Sequence, residues 1–275
     1  MKARNAISSK VIYFLLAIGA FISLFPFYWM LISSFKPQGD MFKFPPDLFP
    51  QPFTLDNYVE LLTQSDFLRN LANSLFVAIC FTVLSVFLCS LCGYTFAKLR
   101  FPGRGFLFGI VIATMSLPFE VTLVPLFKLM TNIHWVNTYL AVIVPFAATA
   151  WGVFLMRQAM LDIPDELLDA ARIDGATEFQ IYSRVVVPVM KPALGAIAIL
   201  QFLASWNDYI WPLIALMENK MMTVPVALAL FKSGYFANYG SITAGAFLSS
   251  LPIIIVFFAL QKFFVRGALF GSVKG

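Results

Sequence analysis

Long apolar runs, separated by shorter polar stretches, dominate the order of residues along the chain. Each run is close to the 20 or so apolar residues that a helix needs to cross the hydrocarbon core of a bilayer. The runs lack the alternation of barrel strands, and backbone groups in lipid must bond internally, so helices are predicted. The pattern therefore predicts an all-α, polytopic membrane protein with six transmembrane helices, at 11–33, 71–97, 105–127, 133–156, 192–217 and 242–261.

The spacing of these runs also predicts how the chain is divided. Residues 1–70 are expected to form an N-terminal anchor helix and an external loop, and residues 71–275 a five-helix domain with a polar loop at 157–191. The first run has about 25 uncharged residues, longer than the apolar core of a signal peptide, so we expect a retained anchor.

Proline recurs inside the predicted spans. Each proline removes a helix hydrogen bond and tends to kink the helix, although neighbouring helices can satisfy the freed carbonyl in a membrane. These positions indicate either ordinary packing geometry or hinges around a pathway. They are Pro26, Pro118, Pro125, Pro145, Pro212 and Pro252.

Composition agrees with a lipid-embedded chain. Hydrophobic residues make up 60% and charged residues 12%, with a mean hydropathy of +0.83. Soluble domains are roughly 45–50% apolar and about 25% charged. The net charge of +5 comes from basic residues at the ends of the apolar runs, which argues against nucleic-acid binding.

The distribution of basic residues predicts the orientation of the chain. With six spans, both termini lie on one side, and thirteen of the 19 lysines and arginines fall on that side. The positive-inside rule therefore predicts that both termini are cytoplasmic. The loop at 157–191 falls on the same side.

This loop contains the signals of a short helix from Pro164 to about residue 174. Proline suits the first helical position, and the acids Asp165 and Glu166 complement the helix dipole in the first turn. Gly175 can adopt the left-handed conformation that ends a helix. Thr177 and Gln180 have the spacing of a capping box for a second helix, which is expected to stop before Pro188.

The first of these helices is too short to be stable alone in water, so it needs a surface to pack on. The small pair Ala170 and Ala171 would permit close approach of that surface. Glu166 and Asp169, together with Asp165, are expected to face outward with few local partners. The helix either docks onto another protein or lies on its own membrane domain.

Signals of catalysis are missing from the sequence. The chain has no Gly-x-x-x-x-Gly-Lys-Ser/Thr phosphate loop and no visible nucleophile–base pair. Cys89 and Cys92 have C-x-x-C spacing but lack a second Cys or His pair, so we expect free thiols, as at Cys80. The chain is predicted to be non-catalytic, with no metal and no cofactor of its own.

Two acidic residues, Glu120 and Asp208, lie within predicted spans. A charge in the bilayer usually has a function or a partner. Glu120 and Asp208 are either interfacial acids that reach water or part of a substrate path. Next to Asp208, Trp206 and Asn207 add a flat apolar face and a hydrogen-bonding group, both of which suit a sugar.

One motif in the loop carries a family resemblance. Asp-Ala-Ala-Arg-Ile-Asp-Gly at 169–175, followed after nine residues by Val-Val-Val-Pro at 185–188, resembles the signature loop of permeases of bacterial ABC importers. The pattern there is Glu-Ala-Ala, three residues, Gly, nine residues, Ile-x-Leu-Pro; Asp169, Val185 and Val187 depart from it conservatively. Further stretches resemble the maltose-type carbohydrate branch, at 34–37, 55–58, 206–212 and 271–275.

The resemblance implies the permease of an ATP-driven, binding-protein-dependent importer in a bacterial inner membrane, most simply for sugars. It implies a second permease as heterodimer partner, two ATP-binding subunits that hold ATP and Mg, and an extracytoplasmic solute-binding protein. Import of a polyol or glycerol phosphate is an alternative, and an ion-coupled secondary transporter is another. The implied contacts with the ATPase are Glu166, Asp169, Ala170, Ala171 and Gly175, and those with the binding protein are Lys232, Ser233, Gly234 and Tyr235.

Overall fold

The structure is a computed structural model, which describes the backbone of residues 2–232 and 238–270 and the side chains of 10–231 and 238–261. These residues form α-helices, short 3-10 turns and one π-helical turn, without a β-strand. The α-helices are α1 Lys2–Ser34, α2 Asp56–Gln64, α3 Phe67–Lys98, α4 Arg104–Thr114, α5 Phe119–Asn132, α6 Tyr139–Ile143, α7 Ala150–Leu161, α8 Asp165–Ile173, α9 Glu178–Ile181, α10 Val187–Val189, α11 Lys191–Trp206, α12 Ile210–Ala215, α13 Val224–Lys232 and α14 Tyr239–Phe270.

Three helices in the described part are long and apolar enough to cross a membrane. They are Lys10–Ser34, Phe67–Lys98 and Tyr239–Gln261, and they match the first, second and sixth predicted spans. Two bent pairs, Arg104–Thr114 with Phe119–Asn132 and Glu178–Val189 with Lys191–Trp206, raise the number to five if each pair counts as one span. The all-α membrane fold is confirmed, whereas the number of six spans is not.

The prediction of continuous helices for the third, fourth and fifth spans is wrong. The third bends by 102° between α4 and α5. The fourth is interrupted at 144–149 between α6 and α7, and the fifth at 207–209 between α11 and α12. Hydropathy reports where the chain is apolar but not the path of its backbone.

Proline marks some of these interruptions without being sufficient to cause them. Pro118 is the N-cap of α5, and Pro145 lies within the break at 144–149. By contrast, α1 continues through Pro26 and α14 continues through Pro252. The missing backbone donor permits a break, but tertiary contacts decide whether one occurs.

The chain divides into two compact units. The first comprises Met1–Leu68 and Ala227–Leu251. Within it, the buried amide of Asn57 in α2 donates to the carbonyls of Ser34 and Lys36, at 2.8 Å each, which ties α2 to the end of α1. Asn57 also packs directly against Gly240, where a side chain would have no room.

The second unit comprises Arg69–Val226 and Pro252–Gly275. One of its cores joins the Lys98 end of α3 to α7, α8, the π-helical turn and α11, around Met156, Met160, Leu168, Ile181 and Val186. Another core surrounds Trp211 and joins α3, α5, α6 and α12. The first core positions the loop at 157–191, and the second positions the broken helices.

Candidate functional site

The helix predicted in the loop at 157–191 is α8. Pro164 precedes it as the N-cap instead of opening it, and Gly175 has the left-handed conformation predicted for the helix end, with φ +82°. Among the described residues of α8, Leu168 alone is buried, at 1% exposure, while Ala171 is half-buried against the core. Of the predicted ATPase contacts, Glu166, Asp169, Ala170 and Gly175 are exposed.

The expectation that the acids of α8 have few local partners is wrong for two of them. Asp165 pairs with Lys98 of α3 at 2.7 Å, and Asp169 pairs with Arg172 at 2.7 Å. The hydrogen bond and charge of Lys98 hold the pKa of the Asp165 carboxyl below its ordinary value. Arg172 is three residues from Asp169 on the same helix, so the local sequence could have predicted that pair. Lys98 is 67 residues from Asp165, so only the tertiary structure shows the other pair.

The second helix of the loop begins as predicted. Thr177 and Gln180 form a complete capping box, in which each side chain bonds the other residue's backbone N–H. The helix does not stop before Pro188, however. A π-helical turn at Tyr182–Val186 leads directly into α10, so the helical backbone continues through Pro188.

The loop exposes large apolar side chains on both sides of its turn. Ile173 is 87% exposed and Phe179 62% exposed, on either side of the turn at Gly175, and Leu167 is also exposed. Exposed large side chains grouped on a short anchored segment are typical of an interaction site. The sequence signals in the loop, its caps, acids and small residues, did not single out Ile173 or Phe179.

The three helix breaks are connected by aromatic rings. Phe119, at the start of α5, makes an edge contact with Phe146 in the break at 144–149, with ring centroids 5.5 Å apart. Phe146 in turn contacts Trp211 at the start of α12, at 6.0 Å. Non-helical backbone at membrane depth is tolerated where protein or a cavity satisfies it, and discontinuous helices build the binding sites of many transporters.

The predicted substrate-path residues lie beside two of these breaks. Glu120 is exposed in the first turn of α5. Trp206 is the last residue of α11 and is only 3% exposed, stacked on Phe202. Asn207 is exposed, and Asp208 is half-buried in the break that precedes α12.

A buried polar cluster, unnoticed in the sequence, flanks the break at 144–149. Gln201 of α11 donates to Thr149 Oγ1 at 2.7 Å, and Thr149 caps α7. Cys89 of α3 lies 3.6 Å from Thr149 Oγ1 and 3.7 Å from Ser85. The three cysteines are free thiols, as predicted, and the described residues contain no group suited to a metal ion.

The predicted contacts with a binding protein fall almost entirely outside the described residues. Lys232 ends α13, with its side chain outside that part, and Ser233, Gly234 and Tyr235 lie beyond it.

Comparison with known proteins places these features in one family. Residues 85–269 match the family described as "Binding-protein-dependent transport system inner membrane component". The chain is 40% identical to the arabinooligosaccharides transport system permease protein AraQ of Halalkalibacterium halodurans, over 98% of this chain and 99% of the relative. It is 36% identical to the lactose transport system permease protein LacG of Rhizobium radiobacter, over 98% of each.

A solved structure has the same fold. It is that of a bacterial ABC transporter involved in the import of the acidic polysaccharide alginate, with a TM-score of 0.81 and 25% identity, over 94% of this chain and 97% of that one. Since the family match covers more than half of the chain and the relatives match nearly all of it, this chain belongs to the family of inner-membrane components of binding-protein-dependent transport systems.

Proposed function

We propose that this chain is the permease of an ATP-driven importer of sugars or oligosaccharides, and that α8 seats in a cleft of an ATP-binding subunit. The observation that carries the proposal is α8 itself, a helix of nine residues that is anchored on Leu168 and Ala171 and ended by the left-handed Gly175. Its other side chains are exposed, Ile173 among them, and Phe179 is exposed just beyond the turn. A partner surface that covers these side chains would remove apolar area from water.

The proposed assembly contains a second permease, two ATP-binding subunits that hold ATP and Mg, and an extracytoplasmic binding protein. Glu166 and Asp169 would meet polar or basic groups at the rim of the cleft, and Ala170 would permit close approach. The sugar assignment is supported by the relatives, which are named as permease proteins of transport systems for arabinooligosaccharides and lactose. A polyol or glycerol phosphate remains the alternative solute.

The proposed mechanism is alternating access. Closure of the ATPase pair on ATP would displace α8. The broken helices would then change which side of the membrane the substrate path opens to. ATP then acts through contacts that differ between two states. Glu120, Trp206, Asn207 and Asp208 are proposed to lie on that path, and Lys232, Ser233, Gly234 and Tyr235 to contact the binding protein. The proposed location is a bacterial inner membrane.

Ala170→Trp tests the docking in proteoliposomes that contain the full complex. We expect this variant to abolish ATP-driven uptake of radiolabelled lactose or arabinotriose, because a large side chain at an exposed point of close approach overpacks the contact. Ala170→Ser, which keeps the small size, should transport as the wild type does. Ala170 is a better position than Ala171, whose side chain already packs on the chain's own core.

Cross-linking provides the direct readout. A photo-crosslinking amino acid at Ile173 should capture an ATP-binding subunit, and one at the exposed Gln64 of α2 should not. Normal uptake by Ala170→Trp together with no cross-link from Ile173 in any nucleotide state would overturn the assignment of α8. ATP-driven uptake of glycerol phosphate, with neither sugar transported, would overturn the sugar assignment.

A further inference from the structure

Several hydrogen bonds join the Lys98 end of α3 to the loop at 157–191, which we call the coupling loop. Two of these connections hold α8, and we call them the lysine strut and the tyrosine strut. Tyr94 and Lys98 are four residues apart, so they share a face of α3. The lysine strut reaches the start of α8, and the tyrosine strut reaches its last turn through α9. Both ends of α8, which we call the coupling helix, are therefore held by the same turn of α3.

The lysine strut has a buried cation at its centre. The Lys98 side chain is 6% exposed, and its Nζ donates to Asp165 Oδ1 at 2.7 Å and to the Ile163 carbonyl at 2.6 Å. Exposed ion pairs contribute little, but a buried ammonium that loses its partners is costly. Ile163 lies in the connection from α7, and Asp165 is the first residue of α8, so this strut fixes where α8 begins.

The tyrosine strut is a chain of charge-assisted hydrogen bonds. The buried Tyr94 donates its hydroxyl to Glu178 Oε2 at 2.6 Å. Glu178 Oε1 accepts from Arg172 Nε at 2.9 Å, and Arg172 donates to Asp169 at 2.7 Å. Hydrogen bonds to ionised groups are about twice as strong as neutral ones. The chain spans Tyr94 of α3, Glu178 of α9 and the last turn of α8.

Further along, the same helix contacts the border of a broken span. Gly93 lies so close to Met156 of α7 that a Cβ would be 2.6 Å from the Met156 Cβ. Four residues earlier, Cys89 approaches Thr149, the cap of α7 at the end of the break at 144–149. Since α3 is unbroken for 32 residues, it is a stiff element between the coupling loop and this break.

We propose that Tyr94 and Lys98 are positioning residues that make α3 move with α8, so that α3 transmits the displacement of the coupling helix to the break at 144–149. The proposal rests on the proposed function, in which α8 is the contact with the ATPase. Neither side chain needs to touch the transported solute or the nucleotide. Their role is to convert a contact at the loop into a movement within the membrane.

The test is the stimulation of ATP hydrolysis by the binding protein, measured with the full complex in nanodiscs. The binding protein is expected to favour the conformation in which the ATPase pair closes, so a broken link should weaken its effect on ATP hydrolysis. We expect Tyr94→Phe and Lys98→Met each to lower the stimulation by roughly five-fold, the effect of one net hydrogen bond on a two-state equilibrium. Lys98→Arg should retain most of it.

Two matched controls remove equivalent groups that do not reach the coupling loop. Tyr139→Phe deletes a hydroxyl that donates to Asn73 of α3 at 2.7 Å, near the other end of that helix. Arg104→Met deletes a cation that donates to the Leu99 carbonyl at 3.0 Å. Both controls should be stimulated as the wild type is.

The outcomes separate this proposal from the one on which it rests. Undiminished stimulation in Tyr94→Phe, with the Ile173 cross-link to the ATPase intact, would overturn the struts but leave the docking of α8. Absence of that cross-link in the wild type would overturn the docking itself. If Lys98→Met fails to fold, Tyr94→Phe decides alone, because it removes a single hydroxyl.

Discussion

Single residues set how closely the helices of the second unit approach. Gly152, in the first turn of α7, is the clearest case. A Cβ there would lie 2.5 Å from Thr149 Oγ1, 2.8 Å from Cys89 Sγ and 2.9 Å from Gln201 Nε2. Glycine is therefore required by the packing of three surrounding side chains on the buried polar cluster, and not by its backbone conformation.

Gly152→Ala should destabilise the chain by about 1–3 kcal/mol, because an added methyl group must displace buried polar neighbours. The measurement is the thermal unfolding midpoint in detergent. Gly109→Ala in α4 is the control, since nothing lies within 4 Å of its added Cβ. The control should be neutral or slightly stabilising, as alanine is the better helix former. Equal midpoints for the two variants would show that the cluster relaxes freely.

At the scale of elements, the interrupted helices are more informative about the proposed substrate path than the continuous ones. Three breaks meet through Phe119, Phe146 and Trp211, and Asp208 lies in one of them. Trp206 is a poor probe of the path, because its removal would open a cavity beside Phe202 and cost about 3–5 kcal/mol. Asp208 is half-buried in the break. A substitution there should disturb the fold less, so a loss of transport is easier to interpret.

Asp208→Asn keeps the size of the side chain and one oxygen acceptor, and it removes the charge. If the carboxylate lies on the substrate path, this variant should lower sugar uptake severalfold while the ATPase still co-purifies, because hydrogen bonds to an ionised acceptor are the stronger ones. Asp66→Asn, at an exposed acid ahead of α3, is the control. Wild-type uptake in Asp208→Asn, with a loss in Asp208→Ala, would show that the size and hydrogen bonding of the side chain matter and that its charge does not.

For the whole molecule, family membership confirms the resemblance to importer permeases and the transport role of a subunit without catalytic function. The surface agrees with a membrane environment. No part of the most apolar stretch of Lys10–Ser34 is buried within the chain. Such an apolar helix is stable only when lipid or another protein covers it. The division at residue 70 and the side on which the termini lie stay predictions.

Reporter fusions test the orientation. Fusions at residue 1 and residue 275 should both report the cytoplasm, because thirteen of the 19 basic residues fall on the side of the termini if six spans are present. A reporter inserted at the exposed Phe44 should report the opposite side. A C-terminus on the outside would mean an odd number of spans and would contradict the predicted topology.

The sequence by itself determined the properties that depend on composition or on neighbours a few residues apart. The membrane class follows from the apolar content of each run. The capping box at Thr177 and the left-handed Gly175 follow from interactions within one helical turn. The signature motif identified the family for the same reason, since its spacing lies within twenty residues of the chain.

Tertiary structure alone decided the features that join distant residues. The pairing of Lys98 with Asp165, the bond from Tyr94 to Glu178 and the contact of Gln201 with Thr149 span 67, 84 and 52 residues. The breaks in three predicted spans belong to the same class, because proline interrupts some helices and not others. A local pattern specifies which structures a segment can form. The fold decides which distant groups come within reach, and the energy of those long-range contacts selects one of these structures.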